Sequence, residues 1–115
     1  MTLDIRKSVD IIETMENYLS TYRPPVEIRP ELDLGYELNG QSVILFEIRP
    51  LWNNPYVIQH VPYAKATLVL KDNEWKVYWM RANLKWYPYD HKPKVKTLSD
   101  FLKLVEEDKY ACFKG

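Results

Sequence analysis

Apolar side chains recur every three or four positions in two segments, one near each end of the chain, and this spacing predicts two amphipathic helices. The first helix is expected to end before Pro24-Pro25, because proline lacks the backbone N–H that a helix interior needs. The second is expected to begin at Thr97, with Asp100 three residues later forming a variant of the capping box. The apolar stripes consist of Ile5, Val9, Ile12 and Leu19 in the first helix and of Leu98, Phe101, Leu102 and Val105 in the second.

Between these helices, apolar and polar residues alternate in two stretches that each contain a turn signal, which is the pattern of a β-hairpin. Residues 31 to 50 turn at Asn39-Gly40, because both central positions of a type I′ turn need a positive φ. Residues 63 to 82 turn around Asp72-Asn73. With two-residue loops, the expected cross-strand pairs include Leu34–Leu45 and Ala64–Arg81.

The segment between the two hairpins, residues 50 to 62, contains Pro50, Pro55 and Pro62 and is predicted to be a long loop. The stretch from Leu84 to Trp86 is expected to continue the last strand. These elements predict a single α+β domain over residues 1–115, in which a four-stranded antiparallel meander sheet carries an N-terminal and a C-terminal helix on one face.

The alternation assigns one face of this sheet to the core and leaves large apolar side chains on the other. The core is expected to comprise Val9, Ile12, Leu19, Leu34, Tyr36, Val43, Leu45, Leu68, Leu70, Trp75, Val77, Trp79, Phe101, Leu102 and Val105. The second face retains Ile44, Phe46 and Tyr78, among others. An open apolar face of that size predicts a partner, or a homodimer in which these three residues meet a second copy.

Composition and charge restrict the class of protein further. Sixteen basic and sixteen acidic residues give no net charge, and 46% of residues are hydrophobic, so the chain is neither a disordered tail nor a simple basic tail. The single cysteine, Cys112, excludes an intramolecular disulfide and any multi-cysteine zinc site. No apolar run reaches the roughly 20 residues of a membrane helix, and the N-terminus lacks a signal-peptide core. We therefore expect a cytoplasmic protein without membrane contact, and no cofactor or metal motif is recognised.

Charge is distributed unevenly along the chain. Residues 1–60 carry a net charge of −4, residues 61–96 carry +5, and residues 97–115 carry −1. In residues 61–96, basic and aromatic side chains are interleaved. Proteins that bind single-stranded nucleic acid hold phosphates with basic side chains and stack bases on aromatic rings. The alternative is that this block neutralises the acidic first half while its tryptophans belong to the core.

A polar cluster is expected at one end of the sheet, where Glu47, Arg49 and Arg81 fall on the core face beyond its apolar part. One interpretation is a structural ion pair between Glu47 and Arg81 that ties the second strand to the fourth. The other is a pocket for an anion, held by the guanidinium groups. The candidate site for an anion or a nucleic acid comprises Glu47, Arg49, Arg81, Lys85, Trp86 and His91.

The same segment allows an enzymatic hypothesis. Pro30-Glu31 followed by Glu47-x-Arg49 is similar to the paired carboxylates and basic residue of metal-dependent nucleases. The match is incomplete, because Glu31 is predicted to point to the opposite face from Glu47 and because arginine does not deprotonate as a lysine can. No catalytic residue is assigned on this basis.

Several segments, in consistent order along most of the chain, resemble one bacterial family, the domain of unknown function DUF3024. They include Phe46-Glu47-Ile48-Arg49-Pro50, Trp75-Lys76-Val77-Tyr78-Trp79, Arg81-Ala82-Asn83-Leu84-Lys85-Trp86 and Glu107-Asp108-Lys109-Tyr110-Ala111-Cys112-Phe113-Lys114-Gly115. The resemblance implies a small intracellular stand-alone domain and supplies no activity, substrate or cofactor. The leading hypothesis is a non-catalytic binding module for a protein or a nucleic acid. A homodimeric interaction protein and a metal-dependent nuclease or hydrolase using Glu47 are the alternatives.

Overall fold

Two helices enclose a run of six strands within residues 3–114, the part of the chain that the computed structural model describes. The elements are α1 (Ile5–Tyr22), β1 (Asp33–Asn39), β2 (Ser42–Leu51), β3 (Asn54–Val69), β4 (Glu74–Met80), β5 (Trp86–Pro88), β6 (Lys94–Val95) and α2 (Leu98–Glu107). The sheet order is β1-β2-β3-β4-β5 with all pairs antiparallel, and β6 also pairs with β4. The predicted α+β fold is confirmed, with two short strands more than the expected four.

Side-chain caps define where both helices begin. The Asp4 carboxylate accepts a hydrogen bond from the backbone N–H of Lys7 at 2.7 Å. The Thr97 hydroxyl accepts one from the backbone N–H of Asp100 at 3.1 Å, as the capping signal predicts. Each cap supplies an acceptor for a backbone donor that has no partner inside the helix.

The segment after α2 folds back at Asp108, which has a left-handed backbone with φ 41°. Its carboxylate accepts hydrogen bonds from the backbone N–H groups of Phe113 and Lys114, at 3.0 and 2.8 Å. The Phe113 ring is thereby buried against Tyr89, with a distance of 4.7 Å between ring centroids. The acidic end of α2 therefore anchors the residues that follow it.

The stripe of helix α1 that faces the core is not the predicted one. Ile11, Met15 and Tyr18 are buried, whereas Val9 and Ile12 are 54% and 41% exposed. Apolar residues lie on two adjoining stripes of this helix, and its contacts with α2 and β1 select between them. The predicted stripe of α1 therefore faces solvent over most of its length.

Both predicted hairpins form, and their side chains lie on the predicted faces. The register of each is displaced, because the first loop consists of residues 40–41 and the second of residues 70–73. The observed pairs include Leu34–Glu47 and Ala64–Trp79, in place of Leu34–Leu45 and Ala64–Arg81. A displacement by an even number of positions leaves every side chain on its face, so the assignment of faces is preserved.

The prediction of a loop at residues 50–62 is wrong, because β2 and β3 continue through it as a hairpin that turns at Trp52-Asn53. Irregularities in the pairing lie between Leu45 and Phe46, opposite Pro62, and directly after Pro50. Prolines are tolerated at bulges and free edges, since no ladder hydrogen bond needs their missing N–H there.

The core lies between the two helices and one face of the sheet. Fully buried residues on that face include Val43, Leu45, Ala64, Ala66 and Leu68. Leu70, which its spacing predicts to be in the core, is instead 40% exposed in the second hairpin loop. Within residues 3–114, neither helix is long and apolar enough to cross a membrane.

An ion pair joins the end of α1 to the start of β1. Arg23 donates from Nε and Nη2 to the two carboxylate oxygens of Asp33, each at 2.7 Å. The backbone N–H of Leu34 donates to the same carboxylate at 2.8 Å. The Arg23 hydrogen bonds, with a smaller contribution from that N–H, hold the pKa of the buried Asp33 carboxyl below its ordinary value.

Candidate functional site

The sheet face opposite the core is formed by the alternate residues of the same strands. Ile44, Phe46, Lys65 and Tyr78 are half-buried there, whereas their sequence neighbours Val43, Leu45, Ala64 and Val77 are buried beneath the helices. We call this surface the open face. Both helices pack on the other side, so the residues that the sequence predicts for a homodimer do lie on the uncovered surface.

Lys65 occupies the middle of the open face, between two aromatic rings. Its Nζ atom lies 4.8 Å from the ring centroid of Tyr78 and 5.0 Å from that of Trp86. Among residues 3–114 no carboxylate approaches this ammonium within 4.0 Å. Burial lowers the pKa of Lys65, because removing a cation from water disfavours its charged form.

A second aromatic feature lies on the neighbouring strands. The rings of Phe46 and His60 are stacked, with centroids 4.7 Å apart and planes 8° from parallel. Gly35 lies directly opposite Phe46 on β1, and a Cβ atom at Gly35 would come within 2.7 Å of the Phe46 ring. The glycine therefore lets the Phe46 ring lie close against β1, with the His60 ring stacked on it.

Basic residues accumulate on the same face toward β6. Lys76 and Lys94 are exposed and are directly opposite each other in the β4–β6 pairing. Like charges directly opposite each other on a sheet are destabilising. With Lys65 they give the β3–β6 half of the open face a positive character that the acidic β1 half lacks.

The predicted pair between Glu47 and Arg81 does not form. Glu47 is instead 3.8 Å from Arg49, in a half-exposed pair of the kind that contributes little to stability. Arg81 lies over the rings of Trp79 and Tyr87, at 5.1 and 4.6 Å from their centroids. The prediction is wrong because the displaced register places Trp79 opposite Ala64, and because β4 ends at Met80, where a turn leads into β5.

The remaining candidate residues are distributed over three places. Trp86 lies opposite Met80 on the open face, beside Lys65. Lys85 is exposed in the preceding turn. His91 stacks on Tyr110, with centroids 3.6 Å apart, in the region that follows α2. Of the six candidate residues only Trp86 belongs to the open face, and Lys65 was missed although its alternation with Ala64 and Ala66 places it there.

The nuclease hypothesis finds no cluster to support it. Glu31 lies in the turn before β1 rather than on the strand, away from the sheet position of Glu47. Within the described residues, no group of three or more His, Cys, Asp or Glu side chains is arranged to hold a metal ion.

A buried polar cluster lies under the opposite face, between α1, α2 and β3. The Tyr18 hydroxyl donates to Oε1 of Glu106, which also accepts from Nζ of Lys114 at 2.8 Å. The Tyr63 hydroxyl is buried near these groups and has no hydrogen-bond partner among residues 3–114. Burial raises the pKa of both tyrosines, so each hydroxyl stays protonated.

Comparison with known proteins identifies a family but no characterised relative. The family model described as "Domain of unknown function (DUF3024)" matches residues 4–115. Comparison with curated proteins and with solved structures gives no match.

Proposed function

We infer that this chain, which belongs to the DUF3024 family of domains of unknown function, is a binding module whose open face takes single-stranded nucleic acid. The observation that carries the proposal is the position of Lys65. Its ammonium is partly desolvated between Tyr78 and Trp86 and lies beyond 4.0 Å of any carboxylate among residues 3–114. A phosphate group would supply the missing counter-charge.

The surroundings of Lys65 suit the other parts of a single strand. The Phe46–His60 stack lies on one side and Trp86 on the other, and bases stack on the uncovered faces of such rings without regard to sequence. Lys76 and Lys94 continue the positive charge toward β6, where the next phosphates of an extended strand would lie. Anion binding would also relieve the repulsion between these two opposed lysines.

The competing use of this surface is a homodimer through Ile44, Phe46 and Tyr78. In a symmetric contact each residue meets the same surface of the other copy. Such a dimer would bring together two copies of the same lysine-rich half and would bury both Lys65 ammonium groups further. Charge on the open face therefore favours a polyanionic ligand over a second copy.

The test is fluorescence anisotropy with a labelled 12-nucleotide single-stranded DNA, in 50 and 200 mM salt. Lys65→Met keeps the apolar stem and removes the charge, and Lys103→Met, on the exposed side of α2, is the matched control. We expect wild-type binding that weakens with salt, and at least a tenfold loss of affinity for Lys65→Met. The salt slope of that variant should fall by about 0.7, the value for one phosphate contact on a single strand.

Three results would contradict the proposal. The first is no binding by the wild type at 100 µM protein in 50 mM salt. The second is an equal loss for Lys65→Met and Lys103→Met, which would place the contact elsewhere. The third is self-association that abolishes binding and is lost in Ile44→Lys, which would assign the open face to a homodimer.

A further inference from the structure

The β2–β3 hairpin extends beyond the rest of the sheet. β1 pairs with β2 only as far as Ile48, and β4 pairs with β3 only as far as Ala64. Residues 50–61, which we call the arm, therefore pair with neither β1 nor β4, and the outer edges of both its strands are free. The arm contributes to the elongated shape of the molecule, whose principal extents are 45, 29 and 25 Å.

The arm exposes large apolar side chains. Trp52 and Tyr56 at its tip are each 93% exposed, and Ile58 and Val57 are 53% and 43% exposed. Residues 50–64 contain no Asp, Glu, Lys or Arg, although these types make up 28% of the chain. The arm therefore has no charge with which to recognise a polyanion and none to repel an identical arm.

Free strand edges of this kind are usually shielded by charge, proline or a covering element, because they pair readily with another strand. On β3 the six residues from Tyr56 to Val61 form a proline-free run rich in β-branched and aromatic types. An antiparallel pairing of this run with itself is symmetric about a two-fold axis, which is the geometry of an isologous dimer.

We propose that the arm is the homodimerisation surface of this protein, and that the β3 edges of two arms pair antiparallel about a two-fold axis. The tip of each arm then lies beside the base of the other, and Trp52 and Tyr56 are covered. Aromatic side chains each bury about 150–250 Å², so two copies of these two residues bury roughly 600–1,000 Å². Val57 and Ile58 add to this, and the total reaches the roughly 1,000 Å² that a specific interface needs.

The dimer pairs strand edges and leaves the Lys65 ammonium uncovered, so dimerisation and nucleic-acid binding can be tested, and can fail, separately. The test is sedimentation velocity from 2 to 200 µM, with the double variant Trp52→Ser/Tyr56→Ser. Leu84→Ser is the control, because Leu84 is also apolar and 75% exposed but lies outside the arm. We expect the wild type and Leu84→Ser to sediment at twice the 13.8 kDa chain mass. The double variant should need at least tenfold higher concentration to dimerise.

Hydrogen exchange supplies a second measurement that needs no variant. Backbone N–H groups on the free edge between Tyr56 and Val61 should exchange more slowly as the wild-type concentration rises. A monomeric wild type at 200 µM would overturn the proposal, as would a dimer that Trp52→Ser/Tyr56→Ser leaves intact. Dissociation by Ile44→Lys together with an unaffected arm variant would place the contact on the open face and would equally overturn it.

Discussion

The two faces of the sheet are built by the same strands but are used differently. On the covered face, small and branched side chains such as Ala66 and Val43 are fully buried under two helices. On the open face, larger side chains such as Phe46 and Trp86 are half-exposed and surround a lysine. Burial explains the residues of the first face, since close packing there stabilises the fold. Burial does not explain the residues of the open face, where apolar side chains and a lysine are exposed to solvent.

The largest expected difference between the faces comes from two neighbouring residues of β2. Leu45 is fully buried and Ile44 is half-buried on the other side. Leu45→Ala should lower the free energy of unfolding by about 3 kcal/mol, because it removes apolar contacts and leaves a cavity. Ile44→Ala should lower it by about 1 kcal/mol or less. Urea denaturation measures both, and equal losses would contradict the assignment of the two faces.

A smaller effect is expected for two hydroxyl groups under the covered face. Tyr18→Phe removes the donor to Glu106 and should lower the free energy of unfolding by about 1–2 kcal/mol. Tyr63→Phe removes a buried hydroxyl that finds no hydrogen-bond partner in the described part of the chain, so stability should stay the same or rise by up to about 1 kcal/mol. Thermal unfolding of the two variants side by side provides the comparison. A loss for Tyr63→Phe as large as that for Tyr18→Phe would mean that the Tyr63 hydroxyl is bonded after all.

The smallest effect on stability is expected on the open face, at Lys65. Lys65→Met should change the free energy of unfolding by no more than about 0.5 kcal/mol at pH 7, because the side chain is partly exposed. The pKa of Lys65 is lowered by burial, so its protonated form is disfavoured in the folded state. That penalty is present below the folded-state pKa and disappears as pH rises toward the unfolded value of about 10.4.

The wild type should accordingly gain stability relative to Lys65→Met between neutral pH and about pH 10.5. Urea midpoints of both proteins across that range measure the gain. A wild type that instead loses stability relative to the variant over this range would show that the folded state favours the charged lysine.

Alternation of side chains predicts the covered and open faces correctly, because a strand has a period of two and both registers are displaced by an even number of positions. The exact register could not be predicted from the turn signals. The first loop has the expected two residues but lies one position later, at residues 40–41, and the second has four residues, 70–73, instead of two. Helix α1 carries two adjoining apolar stripes, and only its contacts with α2 and β1 choose between them. The sequence pattern of α1 therefore allows either stripe to face the core, and the packing against α2 and β1 selects one of them.

The candidate site was predicted less well, for a different physical reason. The expected Glu47–Arg81 pair required β4 to extend to Arg81, but the strand ends one residue earlier. A single residue of strand length therefore decides whether two distant side chains meet. The prolines at 50, 55 and 62 led to the prediction of a loop instead of the arm, because proline is rare in central strands. It is nevertheless acceptable where a strand has a bulge or a free edge.

The burial of Phe113 has a consequence for the synthesis of the protein. The Tyr18 hydroxyl on α1 bonds to Glu106, which is synthesised 88 residues later. The buried Phe113 ring, which completes the core, follows later still. At translation rates of about 5–20 residues per second, about 4 to 18 s separate the emergence of these two partners. During that interval the sheet can form, but the face that α2 will cover remains apolar and exposed. The nascent chain therefore keeps this apolar surface uncovered until the segment after α2 has left the ribosome.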